Sequence, residues 1–412
     1  MLQILKQILT PILSLIILTL GNGLFTTYTS LRMEIEGQSP VIIGYISAAF
    51  FAGIVIGSIR AHKLIERIGH IRTFAALASS VAAFTMLQGV FFNPWTWGVI
   101  RLLTGFCTAG LFITIESWLL AKSSVNTKGK ILSLYMISFY AAQSIGQFLI
   151  NLSSLQSIIP FACGVVLAAF SVVPITLTKV PSPSIEEPSY LNIRKMIKIS
   201  PLGILGTLVS GLILGTIYGI NPIFGKYLNM DTYQLSLFMG ITIFGGLVLQ
   251  WPIGQISDHI DRRKVLMLIS IMIAFLSLLV ALLDNYSFLT LLIIIGLFGG
   301  FAFTIFPLSV SHASDKLETK DYIAAMGCLT LVYGIGAVIG PIVSSYCMSY
   351  LGNNGVFYFY IIVSLLLGLC SFIKILKVNP IPEKEKVQFI SLPRPSSLTG
   401  DLDPRTEEKE KK

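Results

Sequence analysis

Two charges of opposite sign stand in the segment RLLTGFCTAGLFITIESWLLA, residues 101–121, which is otherwise mostly apolar, small or hydroxylated. Arg101 opens it, and Glu116 follows fifteen residues later. On a helix that separation is about 22 Å, too far for the two to pair. A charge at mid-helix in hydrocarbon costs about 2.5–3.5 kcal/mol even on the lenient insertion scale, so each needs its own partner. No acidic residue lies at the depth of Arg101 in any apolar segment, so Arg101 must meet neutral acceptors such as carbonyls or Asn22, water, or an anion. A second polar set, Ser133, Tyr140, Gln143, Gln147 and Asn151, recurs at helical spacing and lies on one face. Asn22, Thr26 and Thr29 share another face, and Tyr218 and Asn221 end a further apolar run. Amides and phenols so placed suit binding of a polar or amphipathic solute, or hydrogen bonds between helices. Covalent chemistry has no support: no nucleophile–His–carboxylate set, no metal-ligand spacing and no ATP-binding module is legible, so the chain does not read as an enzyme. GIGAVIG (residues 334–340) mimics a dinucleotide fingerprint, but it lies inside an apolar run with no preceding strand, where close helix packing is its use. The five cysteines all fall in apolar runs without a CxxC pair, as buried inert thiols do.

The elements that must position these groups are helices in a membrane. Apolar residues make up 54% of the 412 and charged residues only 12%, about half the share of a soluble domain. Mean hydropathy is +0.80. Twelve runs approach or exceed the ~20 residues that cross a bilayer as helix. They are residues 8–29, 41–59, 73–92, 97–121, 131–152 and 158–177, then 202–222, 233–256, 265–283, 288–310, 323–348 and 356–375. The first is too long for a cleaved signal peptide and lacks a small-residue cleavage pattern. With the N-terminus placed in the cytoplasm, the inward segments carry seventeen Lys and Arg before the C-terminal tail, and the outward segments only Arg32 and Lys226. The positive-inside rule then puts both termini in the cytoplasm, with a multi-pass chain in the cytoplasmic (inner) membrane. It also accounts for the net charge of +9 without nucleic acid as a partner.

The chain repeats itself. RIGHIRTF after the second run faces HIDRRKVL after the eighth, and FYAAQSIGQ in the fifth aligns with YGIGAVIGP in the eleventh, at offsets of 192 and 194 residues. Gly53 with Gly245 and Gly105 with Gly299 fit the same register. This predicts two six-helix halves related by an axis along the membrane normal, residues 1–179 and 201–377. Between them, residues 180–200 begin as a Pro/Ser/Glu-rich cytoplasmic linker, and NIRKMIKI could form a short basic helix on the inner leaflet. Residues 378–412, rich in Pro, Lys and Glu, are expected to form a disordered cytoplasmic tail.

Twelve runs in two halves, basic loops after the second and eighth, and RxxxG entering the fourth resemble the major facilitator superfamily of secondary transporters. ESWL, GKILSLYM and YGIGAVIGP resemble its bacterial YcaD-like subgroup. The superfamily loop pattern, roughly G-x-x-x-D-R-x-G-R-R, is met in the second half by Gly254, Asp258, His259, Asp261, Arg262 and Arg263. The first half offers Glu66, Arg67, Gly69, His70 and Arg72, with His62 in the place of the first glycine. An alternative register starting at Gly57 puts Ala61 in the aspartate slot. The resemblance implies a cytoplasmic gate of Glu66, Arg67, Arg72, Glu116, Asp258, Arg262 and Arg263, with Glu116 paired to Arg67 or Arg72. It implies a central substrate cavity of Asn22, Thr26, Arg101, Tyr140, Gln143, Gln147, Tyr218, Asn221, Gln250 and Tyr333. The function implied is movement of a small organic solute across the bilayer by alternating access, by a monomer without cofactor or metal. Proton coupling stays open, weakened by the lack of a mid-membrane Asp or Glu. The alternatives are a facilitated-diffusion uniporter, or a transport-fold sensor or lipid-handling protein.

Overall fold

The computed structural model describes residues 2–123, 127–177, 191–282, 287–318 and 321–392; the side chains of residues 2–7 and 384 are outside that description. The first half holds helices α1 (Leu2–Ile35), α2 (Pro40–Ile68), α3 (His70–Val90), α4 (Pro94–Ala121), α5 (Lys128–Gly146) and α6 (Ile159–Thr176). A short α7 (Ile193–Ile199) precedes the second half. That half holds α8 (Pro201–Gly219), α9 (Asn221–Tyr227), α10 (Thr232–His259), α11 (Arg262–Leu282), α12 (Phe288–Ser314), α13 (Tyr322–Leu351) and α14 (Gly355–Lys377). Eleven of the described helices are long and apolar enough to cross a membrane. The fifth expected run, residues 131–152, is instead α5 continued by a 3-10 turn (Gln147–Leu152). Its basic start and its amides leave it more polar than the eleven. The seventh run is broken at Ile220 into α8 and α9.

Local chemistry sets the helix ends. Ser39, Asn93, Ser200 and Ser287 cap the first amides of α2, α4, α8 and α12, and proline occupies the first turn of the first three, where its missing N–H costs nothing. Asp231 and Gln234 form a reciprocal capping box on α10. Gly69, at φ +83°, both ends α2 and starts α3, so the first basic loop is a single residue that any side chain would strain.

Backbones meet closely where the repeat places glycine. A Cβ on Gly53 would overlap the Leu102 carbonyl, and one on Gly105 the Phe50 carbonyl, so α2 and α4 cross at contact distance. Gly245 and Gly299 do the same between α10 and α12, against the carbonyls of Gly296 and Thr242. Gly23 and Gly146 bring α1 against α5, and Gly211 and Gly336 bring α8 against α13. Small residues at such crossings replace the hydrophobic driving force that lipid does not supply. Large apolar side chains such as Val99, Phe244, Trp251 and Leu369 point outward and remain exposed, as a lipid-facing surface requires.

The halves meet along α2 and α13, and along α5 with its 3-10 turn and α10. These contacts lie at the end opposite the α2–α3 and α10–α11 loops, which we term the basic end. Ser144 Oγ donates to the Gly240 carbonyl (2.5 Å), Asn151 Nδ2 to Ser236 Oγ (2.7 Å), and Ser30 Oγ to the Gly219 carbonyl (2.7 Å). The hydroxyls of Tyr45 and Tyr346 bond at 3.1 Å. Residues 178–190, most of the expected linker, lie outside the described residues. The described remainder binds the second half: Leu191 N–H donates to the Ala324 carbonyl (2.9 Å), and Lys195 pairs with Asp321 (3.0 Å).

Candidate functional site

A cavity with an empty volume of about 670 Å³ lies between the halves. Asn22, Thr26, Thr108, Gln143, Tyr218 and Tyr333 supply its polar groups, and Phe50, Phe51, Ile54, Phe112, Phe139, Leu214 and Phe303 its apolar wall. The residues come from α1, α2, α4 and α5 of one half and from α8, α12 and α13 of the other. The space is thus mostly aromatic, with a few amides, hydroxyls and phenols, a pattern that binds an amphipathic organic molecule and orients it by hydrogen bonds.

Five of the ten expected cavity residues line this space: Asn22, Thr26, Gln143, Tyr218 and Tyr333. The other five are placed elsewhere by the packing around them. Gln147 is fully buried behind the cavity, because Gly23 and Gly146 bring α1 within reach of its amide. It donates to the Gly23 carbonyl (2.9 Å) and the Gln143 carbonyl (3.2 Å) and accepts from Thr27 Oγ1, so it ties α1 to α5. Tyr140 is buried edge-on against Phe303 of the opposite half, with centroids 5.6 Å apart. Asn221 accepts from Tyr360 Oη at 2.7 Å and fastens α9 to α14. Gln250 donates to the Leu392 carbonyl (3.1 Å) at the basic end. Arg101 lines a second, neighbouring cavity inside the first half, which shares Asn22, Phe50 and Thr108 with the central one. Its guanidinium carbon lies 4.2 Å over the Phe50 ring. The polar stripe of α5 also divides: Asn22 Nδ2 donates to Gln143 Oε1 (3.2 Å) at the cavity, whereas Ser133 is exposed and bonds its own helix. The aromatic wall escapes sequence reading, since phenylalanine in a span is as suited to lipid as to a cavity.

The expected gate divides sharply between the halves. Glu116 is fully buried within the first half and accepts from Tyr135 Oη at 2.6 Å, not from Arg67 or Arg72 among the described residues. Glu66, Arg67 and Arg72 are exposed. In the second half Arg262 is only 1% exposed and bridges two carboxylates, Asp258 (2.8 Å) and Asp315 (2.5 Å), while donating to the Ser311 carbonyl (2.8 Å). Arg263 clasps Asp261 at 2.6 Å and donates to the Lys374 and Val378 carbonyls. Asp315 does not stand out in the sequence; its one signal is an acid closing an apolar span opposite a basic loop. Burial pushes its carboxyl above the ordinary value, against the pull of Arg262. Burial works the same way on Asp261, but the hydrogen bonds and charge of Arg263 outweigh it and hold that carboxyl low.

The segment expected to be disordered from residue 378 is ordered at its start. Residues 378–392 lie along the basic end of the second half, and residues 393–412 fall outside the description. Phe389 N–H donates to both oxygens of Asp258 (2.9 and 3.1 Å), and Val387 N–H to Asp315 Oδ1 (3.0 Å). Arg262 Nη2 donates to the Val387 carbonyl, and Lys386 Nζ to the Ile260 carbonyl at 2.7 Å. The Phe389 ring rests on Gly254, where a Cβ would overlap it, and Leu392 is 2% exposed. The buried carboxylate of Asp315 and the partly exposed one of Asp258, by accepting backbone N–H groups, repay the ordering of a chain whose composition alone would not.

Two repeated helical halves around a shared cavity define a multi-pass membrane protein of the transporter type. A family model described as Major Facilitator Superfamily matches residues 7–202 and again 203–402, and the chain belongs to that superfamily. It is similar to an uncharacterized MFS-type transporter of Enterobacter sp. (strain 638), 28% identical over 356 residues, or 85% of this chain and 91% of that one. The MFS-type transporter YcaD of Escherichia coli O17:K52:H18 is 27% identical over the same shares. Among solved structures, the nucleoside transporter NupG superposes with a TM-score of 0.74 over 90% of this chain and all of that one, at 15% identity, and a mutant form of NupG superposes with 0.73. At that identity the likeness is one of fold.

Proposed function

We propose that the chain is a secondary transporter that carries a small organic solute across the cytoplasmic membrane by alternating access, with the basic end and both termini in the cytoplasm. The observation that carries this reading is the central cavity: both halves line it, and hydrogen-bonded contacts between the halves seal the end opposite the basic loops. The state is then inward-facing, and rocking of one half against the other would open Ser144–Gly240 and Tyr45–Tyr346 to the outside. The charge asymmetry of seventeen against two supports the orientation. The test is flux. Liposomes holding the purified protein are incubated with a metabolite extract that includes nucleosides, and uptake is read by mass spectrometry. A form cross-linked through Tyr45→Cys and Tyr346→Cys is the control. A solute that enters, and that the cross-link stops, supports the reading; no solute moved, or movement blind to the cross-link, overturns it. The orientation is checked separately by C-terminal fusions: a cytoplasm-only reporter is expected to be active and a periplasm-only reporter silent.

Facilitated diffusion is a second reading with its own support. Among the described residues that line the central cavity there is no Asp, Glu or His to carry a proton. Flux that ignores an imposed pH gradient is the expected sign of it.

A further inference from the structure

The second cavity, about 460 Å³ of empty volume inside the first half, holds a cation with no counter-charge among its described lining residues. Arg101 is 5% exposed, and its Nε is buried without a hydrogen-bond partner. The Thr104 hydroxyl, beside it in the same cavity, is buried and unpartnered too. The Phe50 ring attracts the guanidinium, but its face satisfies none of the five N–H donors. A fixed positive charge in a low-dielectric site, with idle donors and an adjoining aromatic cavity, is matched by one ligand chemistry: an anionic group on an apolar body. We propose that Arg101, with Thr104, receives the carboxylate of an amphipathic organic anion whose apolar part lies among the phenylalanines of the central cavity. The shared residues Asn22, Phe50 and Thr108 form the threshold between the two spaces. This rests on the solute-carrying reading of the central cavity, and binding tests it apart from flux.

The experiment is thermal unfolding of the full-length protein in detergent, titrated with acetate, hexanoate and phenylacetate, their neutral amides, and chloride or phosphate at matched ionic strength. At least one of the two larger carboxylates is expected to raise the melting temperature where its amide does not, and acetate to do less. Arg101→Lys is expected to weaken binding at least tenfold, because it keeps the charge and loses the fork, and Thr104→Val to weaken it less. Arg101→Gln is expected to abolish it, while melting without ligand no lower than the parent, since an unbalanced charge has been removed. The proposal fails if no carboxylate binds, if amides bind as well, or if Arg101→Lys binds as the parent does. Stabilisation by chloride or phosphate alone would make this an inorganic anion site and overturn the solute class. A folded Arg101→Gln protein that binds carboxylate, with no flux from either form, would overturn both readings; flux of neutral solutes alone would leave transport standing and sink this one.

A different observation carries a second inference. Eighteen residues are five turns of α-helix, so Ser236 and Gly254 share one face of α10, as do Gly240 and Asp258. At one end this face meets α5 and its 3-10 turn in the opposite half, through Ser144 and Asn151. At the basic end residues 386–392 cover it, through Phe389 on Gly254 and on the Asp258 carboxylate, and Leu392 on Gln250. Resting on the alternating-access reading above, we infer that this segment is a strap occupying the surface on which the first half would close, so that the basic end stays open until the strap leaves. Removing residues 379–412 is expected to raise maleimide labelling of a cysteine placed at Ser47, at the sealed end, severalfold in membranes. Phe389→Ala with Leu392→Ala is expected to do so less, and a Gln250→Cys/Leu392→Cys cross-link to suppress it. Unchanged labelling in truncated protein that melts normally, or labelling indifferent to the cross-link, would overturn the strap.

Discussion

The two halves share a skeleton and differ at the basic end. Gly53 against Leu102 and Gly245 against Gly296 are one crossing, used twice. Yet Arg67 and Arg72 face solvent, whereas Arg262 sits in the protein interior between Asp258 and Asp315 with a backbone segment laid over it. The acid of the first half, Glu116, is buried against a tyrosine of its own half. A duplicated backbone therefore fixes where helices cross, because crossing depends on main-chain approach. It does not fix what a loop charge does, because that depends on which carboxylates and which segment reach it.

The strongest way to break this comparison is Arg262→Met. It leaves two carboxylates without their cation, one of them with a side chain 2% exposed, and is expected to cost about 3–5 kcal/mol, read as a large drop in melting temperature. Gly53→Val and Gly245→Val sharpen the opposite side: each drives a side chain into a facing carbonyl and is expected to cost about 1–3 kcal/mol, alike in both halves. A marked inequality would show that the shared skeleton is not equally tight. Gln147→Leu strips the buried link between α1 and α5 and is expected to cost about 1–2 kcal/mol. Gln250→Leu, which loses one bond to the tail, should cost less.

Acid titration separates the two aspartates of the second half. Asp261 is held low by Arg263, so its contribution is full above the unfolded carboxylate value and is lost as pH falls through the lower folded one. Asp315 is raised, so its ionisation takes stability away as pH climbs from the unfolded value through the folded one. Unfolding between about pH 3 and 7 should lose the first dependence in Asp261→Asn and the second in Asp315→Asn. The smallest effect belongs to Arg67→Gln, an exposed charge with no ion pair among the described residues, expected to shift stability by less than about 0.5 kcal/mol. A loss comparable to Arg262→Met would end the asymmetry.

Much of the fold is legible in the chain alone. Apolar length, helix-capping residues and the side on which Lys and Arg collect are properties of short stretches, and the 192-to-194-residue repeat announces two halves through basic loops and glycines in matching places. The site is half legible. Asn22, Thr26 and Gln143 stand out as amides and hydroxyls on helical faces, but Gln147, one turn beyond Gln143, carries the same signal and serves α1 instead.

What the sequence by itself determined is one-dimensional: how many residues are apolar enough to enter lipid, where polar groups interrupt them, and which ends are basic. Helix formation in hydrocarbon needs no more, since each helix satisfies its own backbone. What only the tertiary structure decided is which neighbour each polar or aromatic side chain meets. Phe303 could have faced lipid, and instead spans the cavity between Tyr140 and Tyr218. Residues 386–392 have no apolar period of their own, and are ordered because Asp258, Arg262 and Asp315, brought together in space by the packing of the second half, offer their backbone its hydrogen bonds.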